Sequence, residues 1–271
     1  MKLSLAHLTV LDASPIELID AAAAGGFDAA GLRIIPPTAT DKIAEVIGNE
    51  PLIRQIIARM EATGISIWDI EAVWLTPDAN IATLIPALAL GERLGAKHLL
   101  VVGHDPDFSR LTENFATLCE ACAGFGLEVA LEIMSYVELR TLRQATRLLE
   151  TAGQDNAHLL IDTLHFFRSG ARLSDLQDVN PSLLKYIHLS DAPLSSPTPD
   201  SLRAEGRGGR CYPGEGEFPL VELLNALPAA FPIAVEAPNQ KLTQLTVRER
   251  SQLAADATRR LIAKAAAARR G

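Results

Sequence analysis

The chain has 271 residues, 48% of them apolar, and a formal charge of −8. That length suits one α/β barrel, and the apolar content leaves little room for disorder. The acidic balance argues against nucleic acid and anionic membranes as partners, and only three cysteines exclude a disulfide framework and fit a reducing cytoplasm.

In chain order, the segment Met1-Lys2-Leu3-Ser4-Leu5 runs at once into His7 and Asp12 and does not read as a signal peptide. Apolar runs predict eight strands, at about 2–8, 28–34, 65–71, 97–102, 127–133, 158–162, 185–190 and 232–236. Helical spacing predicts helices at about 14–24, 41–63, 80–94, 108–125, 137–152, 173–178, 218–226 and 246–268. No apolar run reaches the roughly 20 residues of a membrane span; the stretch 81–90 is broken by Pro86.

Gly64-Ile65, Gly95-Ala96 and Gly126-Leu127 recur at intervals of 31 residues, each glycine following a helical pattern and preceding an apolar run. Glycine there is the usual left-handed helix stop. The runs that follow are apolar on both faces, as buried parallel strands are. Repeating strand-helix units of this length predict a single-domain (β/α)8 TIM barrel over residues 1–271. The competing architecture is a doubly wound open sheet, but no strand leads into a G-x-G-x-x-G turn. One long loop is predicted at 192–217, with four prolines and five glycines, overhanging the barrel mouth between strands seven and eight. The alanine-rich C-terminus reads as a fraying helix end.

In such a barrel, residues at the C-terminal ends of strands face the active site. Strands five to eight close in turn on Glu132, Asp162, His188 and Glu236. Any one of these alone reads as the start of a solvated loop. Four in succession do not, because three carboxylates in one cleft repel and raise one another's pKa unless a cation sits between them. Three carboxylates and one imidazole favour Mn2+, Mg2+ or Co2+, with Zn2+ also admissible. The expectation is one divalent metal ion.

These residues lie within a longer pattern: Leu131-Glu132, Asp162-Thr163-Leu164-His165, Ile187-His188-Leu189-Ser190-Asp191, Pro213-Gly214-Glu215-Gly216 and Val235-Glu236. In this order the pieces resemble the xylose-isomerase-like sugar isomerase/epimerase superfamily, including ketose 3-epimerases of the D-tagatose and D-psicose type. The resemblance implies that Glu132, Asp162, His188 and Glu236 ligate the metal and that Glu132 and Glu236 are also the catalytic acid/base pair. It implies substrate contacts for His165, for Glu138, which reads equally as a first-turn helix residue favoured by the dipole, and for Arg210, with Arg207 as a competitor because the insertion at 194–201 blurs the register. A small sugar or keto-polyol is the implied partner, and the superfamily's habit of pairing implies a homo-oligomer, although no interface is legible. His7, Arg33, Glu71 and His104 end the first four predicted strands and are read as lining the pocket or facing a loop. Trp74 and Phe166-Phe167 follow strand ends and form an apolar wall or pack in the core; Trp68 and the pair Cys119, Cys122 read as core.

A metal beside a hydroxy-ketone stabilises an enediolate. Returning the proton to the same carbon from the other face epimerises it, and returning it to the neighbouring carbon isomerises. Loss of a β-hydroxyl instead gives dehydration, as in dehydroshikimate dehydratases of the superfamily. An apurinic-site endonuclease, with its trinuclear cluster, fits poorly with six histidines and a charge of −8. A non-catalytic sugar-binding barrel is the remaining alternative.

Overall fold

The repeat at 31-residue intervals is built as expected. Gly64, Gly95 and Gly126 take φ of +76°, +68° and +66°, where a Cβ would be strained, and each turns the chain from a helix towards the next strand. In this computed structural model residues 1–38 and 41–270 are described. The strands are β1 (Leu3–Leu5), β2 (Ala29–Arg33), β3 (Ser66–Leu75), β4 (His98–Gly103), β5 (Glu128–Glu132), β6 (Ala157–Asp162), β7 (Leu184–Leu189) and β8 (Ile233–Val235). All neighbours pair in parallel, and β1 closes on β8 with Leu3 opposite Ile233 and Leu5 opposite Val235, giving a closed eight-stranded barrel.

Around it run α1 (Pro15–Gly25), α2 (Glu50–Thr63), α3 (Ile85–Arg93), α4 (Phe108–Ala123), α5 (Leu142–Ala152), α6 (Thr163–Arg168), α7 (Leu202–Gly208), α8 (Leu220–Ala226) and α9 (Val247–Ala268). Alternate strand residues point outward and pack under the helices in one large core. The inward rows make a second, smaller cluster of Leu100, Val102, Ala130, Leu160, Tyr186 and Ala234 inside the barrel. Alternation therefore decides what reaches the mouth: Glu132 continues the inward row of Ala130, Asp162 that of Leu160, and His188 that of Tyr186.

Several elements depart from the sequence reading. The helix predicted at 41–63 begins only at Glu50, because Gly48 turns at φ +79°, Asn49 caps the Leu52 amide and Pro51 occupies the first turn. The helix predicted from 137 begins at Leu142, behind a Thr141–Gln144 capping box. Helix α6 was not foreseen; its N-cap is Asp162 itself, whose Oδ1 accepts from the His165 amide at 3.0 Å. The stretch 192–217, read as a loop, carries α7 and lies as a structured cover. Asp191 anchors it by accepting from the amides of Ala192, Gly214 and Phe218, and Arg168 pins α7 through two bonds to Glu205 of 2.8 and 2.7 Å. Among the described residues no helix is long and apolar enough to cross a membrane.

Candidate metal centre at the barrel mouth

Glu132 and Asp162 are the last residues of β5 and β6, His188 is the penultimate residue of β7, and Glu236 follows β8 directly. All four are buried. One ligating atom from each lies within 4.8 Å of the others. His188 Nδ1 is 3.4 Å from Glu236 Oε2 and 3.7 Å from Glu132 Oε1. Neither contact is a hydrogen bond, and both gaps are close to the ligand–ligand spacing of about 3.4 Å around an ion bonded at about 2.1 Å. His188 Nδ1 and Glu132 Oε1 are buried without a hydrogen-bond partner, a costly state that a cation between them would relieve. The donor set therefore fits a divalent metal ion.

Arg210 enters the same space from the cover. Its guanidinium donates to Asp162 Oδ2 at 2.5 Å and to the Glu236 carbonyl at 2.9 Å, and lies 3.1 Å from Glu236 Oε2. Its Nε donates to the Gly206 carbonyl at 2.9 Å. Burial works against its charge, but Asp162 and Glu236 hold its pKa above the ordinary value. The two glutamates are driven apart. Burial, then Glu236 and Asp162, raise Glu132 well above the carboxylate range. Burial acts on Glu236 too, but His188 and Arg210 overcome it and hold that carboxyl low.

Behind His188 stands Asp69, fully buried in mid-β3. Its Oδ2 is 3.7 Å from His188 Nε2 and accepts from the Tyr186 hydroxyl at 2.8 Å. Asp69 was not singled out from the sequence. The signal was present: Asp69 and Glu71 alternate within an otherwise apolar strand, so both point into the barrel. Gly31 of β2 makes room for them, since a Cβ there would collide with Asp69 Oδ1 and Glu71 Oε1.

A narrow cleft, partly open to solvent, leads to Glu132, Glu236 and Arg210. Trp74, Met134 and Tyr136 form its apolar side, and Arg33 and Arg207 its basic side. Arg33 donates to Glu71 Oε2 at 3.2 Å, while its own Nε is buried without a partner. Burial, against the pull of Arg33, raises the Glu71 pKa to about 7. His165 is fully buried, its Nδ1 3.1 Å from the Ser135 hydroxyl, its ring edge-on to Tyr136 at 5.3 Å, and its Nε2 without a partner. Tyr136 also escaped the sequence reading, because it lies beyond the end of β5 rather than on it.

The remaining expected residues lie as follows. Arg207 lines the cleft and donates to Asp41 at 2.6 Å, so both candidate arginines reach the mouth, with Arg210 the deeper. Glu138 is outside the ligand cluster, partly exposed, with Arg140 at 3.7 Å. It also precedes α5 rather than opening it. His7 does not end β1; it lies in the 3-10 turn His7–Val10, its Nδ1 accepting from the Arg33 amide at 3.1 Å and its Nε2 bonded to the Ala13 carbonyl at 3.0 Å. Neither nitrogen is left for a substrate. Glu71 is in mid-β3, not at its end. His104 follows β4 and stacks edge-on against Trp74 at 5.5 Å, its Nδ1 unpartnered. Phe166 and Phe167 pack on each other, and Phe167 on Phe218, as core rather than wall. Cys119 and Cys122 are buried in α4, and burial raises both thiols.

With this geometry in view, the comparisons are specific. A family model described as xylose isomerase-like TIM barrel matches residues 19–264. The chain belongs to that family. An inosose isomerase of Halalkalibacterium halodurans is 28% identical over 155 residues, covering 54% of this chain and 52% of the relative. A 3-dehydroshikimate dehydratase of Pseudomonas aeruginosa is 27% identical over 115 residues, 42% of this chain and 18% of that protein. The match thus spans about half the length of the first relative and less of the second. A crystal structure of the IOLI protein with a bound zinc atom superposes with a TM-score of 0.80 at 20% identity, covering 97% of this chain and 99% of that one. At that identity the likeness establishes the fold.

Proposed function

We propose that this barrel is a divalent-metal-dependent isomerase or epimerase of a keto-sugar or keto-polyol, a keto-inositol among them. The observation that carries the reading is the convergence of Glu132, Asp162, His188 and Glu236 at one end of the barrel. Similarity to inosose isomerases supports it. Mn2+, Mg2+, Co2+ and Zn2+ all suit the four residues. The ion would supply Lewis-acid stabilisation of an enediolate.

The protein's own groups do the rest. Glu132 at the end of β5 and Glu236 after β8 both line the cleft, one taking the proton from the substrate carbon and the other returning it in this reading. Environments that push two carboxyls apart in pKa suit such a division of labour. His165, with Nε2 free, donates or accepts at a substrate hydroxyl. Arg210 orients Asp162 and Glu236. Trp74, Met134 and Tyr136 cover the apolar face of a ring and exclude water. The test replaces Glu132 or Glu236 with Gln and follows deuterium uptake from D2O into inososes and ketoses. Loss of exchange in either variant supports the reading, and undiminished exchange in both refutes it.

A second reading has its own observation. Arg33 presents a buried, unpartnered Nε at the cleft, which suits a substrate carboxylate. With the similarity to a 3-dehydroshikimate dehydratase, this favours a lyase that expels a β-hydroxyl after the same proton abstraction. Appearance of an aromatic chromophore from dehydroshikimate distinguishes it.

A further inference from the structure

We propose that the opposite, N-terminal end of the barrel holds a second divalent cation of the zinc class on His98, Glu128 and His158. The three residues open neighbouring strands: His98 is the first of β4, Glu128 the first of β5 and His158 the second of β6. His98 and Glu128 are register partners, and His158 pairs with Ala130. All three lie on inward rows. Glu128 and His158 are four residues before Glu132 and Asp162 on the same strands, so this cluster sits roughly 13 Å below the mouth. It shares no residue with the mouth and goes beyond the activity proposed for it.

Glu128 Oε2 is 3.6 Å from His98 Nδ1 and 3.7 Å from His158 Nδ1, and one ligating atom from each residue lies within 4.8 Å of the others. These separations exceed a hydrogen bond and, as at the mouth, approach the spacing of about 3.4 Å imposed by an ion at about 2.1 Å. An independent observation points the same way. His98 and His158 are 5% and 1% exposed, yet His98 Nδ1 and both nitrogens of His158 have no hydrogen-bond partner. Nitrogens so deeply buried are expected to be bonded. The rings are wedged against each other at 4.9 Å and against Tyr186, which fixes their direction as a ligand site requires.

Two imidazoles and one carboxylate select zinc and its borderline neighbours over magnesium or calcium. Burial lowers the pKa of both rings, which favours the neutral form that a metal needs. The Glu128 side chain is 43% exposed, so the ion can enter from solvent and keep a water as its fourth ligand. An ion there would tie β4, β5 and β6 at the end of the barrel that serves stability rather than chemistry.

The test counts metal. Protein stripped with a chelator is reloaded with zinc, gel-filtered and analysed for zinc per chain, alongside Glu128→Ala and His158→Gln. Each variant is expected to bind one zinc fewer than the parent, and zinc is expected to raise the melting temperature less in Glu128→Ala. Glu128 lies at the rim, so its variant keeps the fold. The difference between parent and variant is the readout, so the result is independent of whether the mouth binds zinc. A parent that binds two and a Glu128→Ala that binds one support the site, as do one and none. Equal stoichiometry in the parent and both variants overturns it.

Discussion

His188 turns its Nδ1 to the cleft and its Nε2 to Asp69, 3.7 Å away, and the same carboxylate is held by the Tyr186 hydroxyl at 2.8 Å. At that distance no hydrogen bond joins the two, but a buried carboxylate beside the imidazole raises its basicity towards a metal. Asp69→Asn is therefore expected to weaken divalent-metal binding at the mouth by about 10- to 100-fold, and Tyr186→Phe by less. Chelator competition measures both. Unchanged affinity in Asp69→Asn would reduce Asp69 to a packing role.

Arg210 is the mouth's only full positive charge in contact with both Asp162 and Glu236 among the described residues. Arg210→Met leaves Asp162 and Glu236 buried without their guanidinium partner. Removing one partner of such a network costs about 3 to 5 kcal/mol. Urea denaturation should show that loss in metal-free protein and a smaller loss with saturating divalent ion, because the cation takes over part of the neutralisation. A deficit that ignores added metal would mean that Arg210 acts through packing alone.

The meeting of Glu132, Asp162, His188 and Glu236 was legible because each closes an apolar run, and alternation sends it inward. The barrel was legible from the glycines at 31-residue spacing. The far side of the site was legible only in part. Glu71 was a pocket candidate, but Asp69 was not, and both lie inside a strand that was expected to stop at 71 and instead reaches Leu75; their room in the barrel depends on Gly31, a residue on another strand that no local pattern connects to them. His7 was misread for a related reason. The first strand ends at Leu5, and the 3-10 turn after it swings the ring back against the Arg33 amide. Asp162 doubles as a helix cap, which also hid α6, since a six-residue helix offers almost no periodicity. The cover at 192–217 was masked by its glycines and prolines, which here frame a short helix instead of excluding one.

Gly31→Ala tests that hidden dependence. The new methyl would meet Asp69 and Glu71 carboxylate oxygens, which Tyr186 and Arg33 restrain. Overpacking of this kind costs about 1 to 3 kcal/mol. A lower melting temperature should therefore accompany weaker metal binding, since displacing Asp69 moves its negative charge away from the His188 ring. A variant with parental stability and parental affinity would show that the two carboxylates move aside freely.

His7 supplies a pH test on a residue outside the four-residue cluster. Burial is the main cause that lowers its pKa to about 4, with Arg33 adding to it against the Ala13 hydrogen bond. The unfolded chain takes up that proton near pH 6.5 and the folded chain only near 4, so between these values the unfolded state binds more protons. Stability from a neutral His7 is complete above about pH 6.5 and declines as the pH falls towards 4, at about 1.4 kcal/mol per pH unit. His7→Gln removes the titrating group but not the turn. The stability gap between parent and variant should therefore shrink between pH 7 and pH 5 when both are unfolded in urea. A gap of constant size over that range would mean that the ring accepts a proton in the folded barrel as readily as in water, and that the Arg33 amide does not hold Nδ1 as an acceptor.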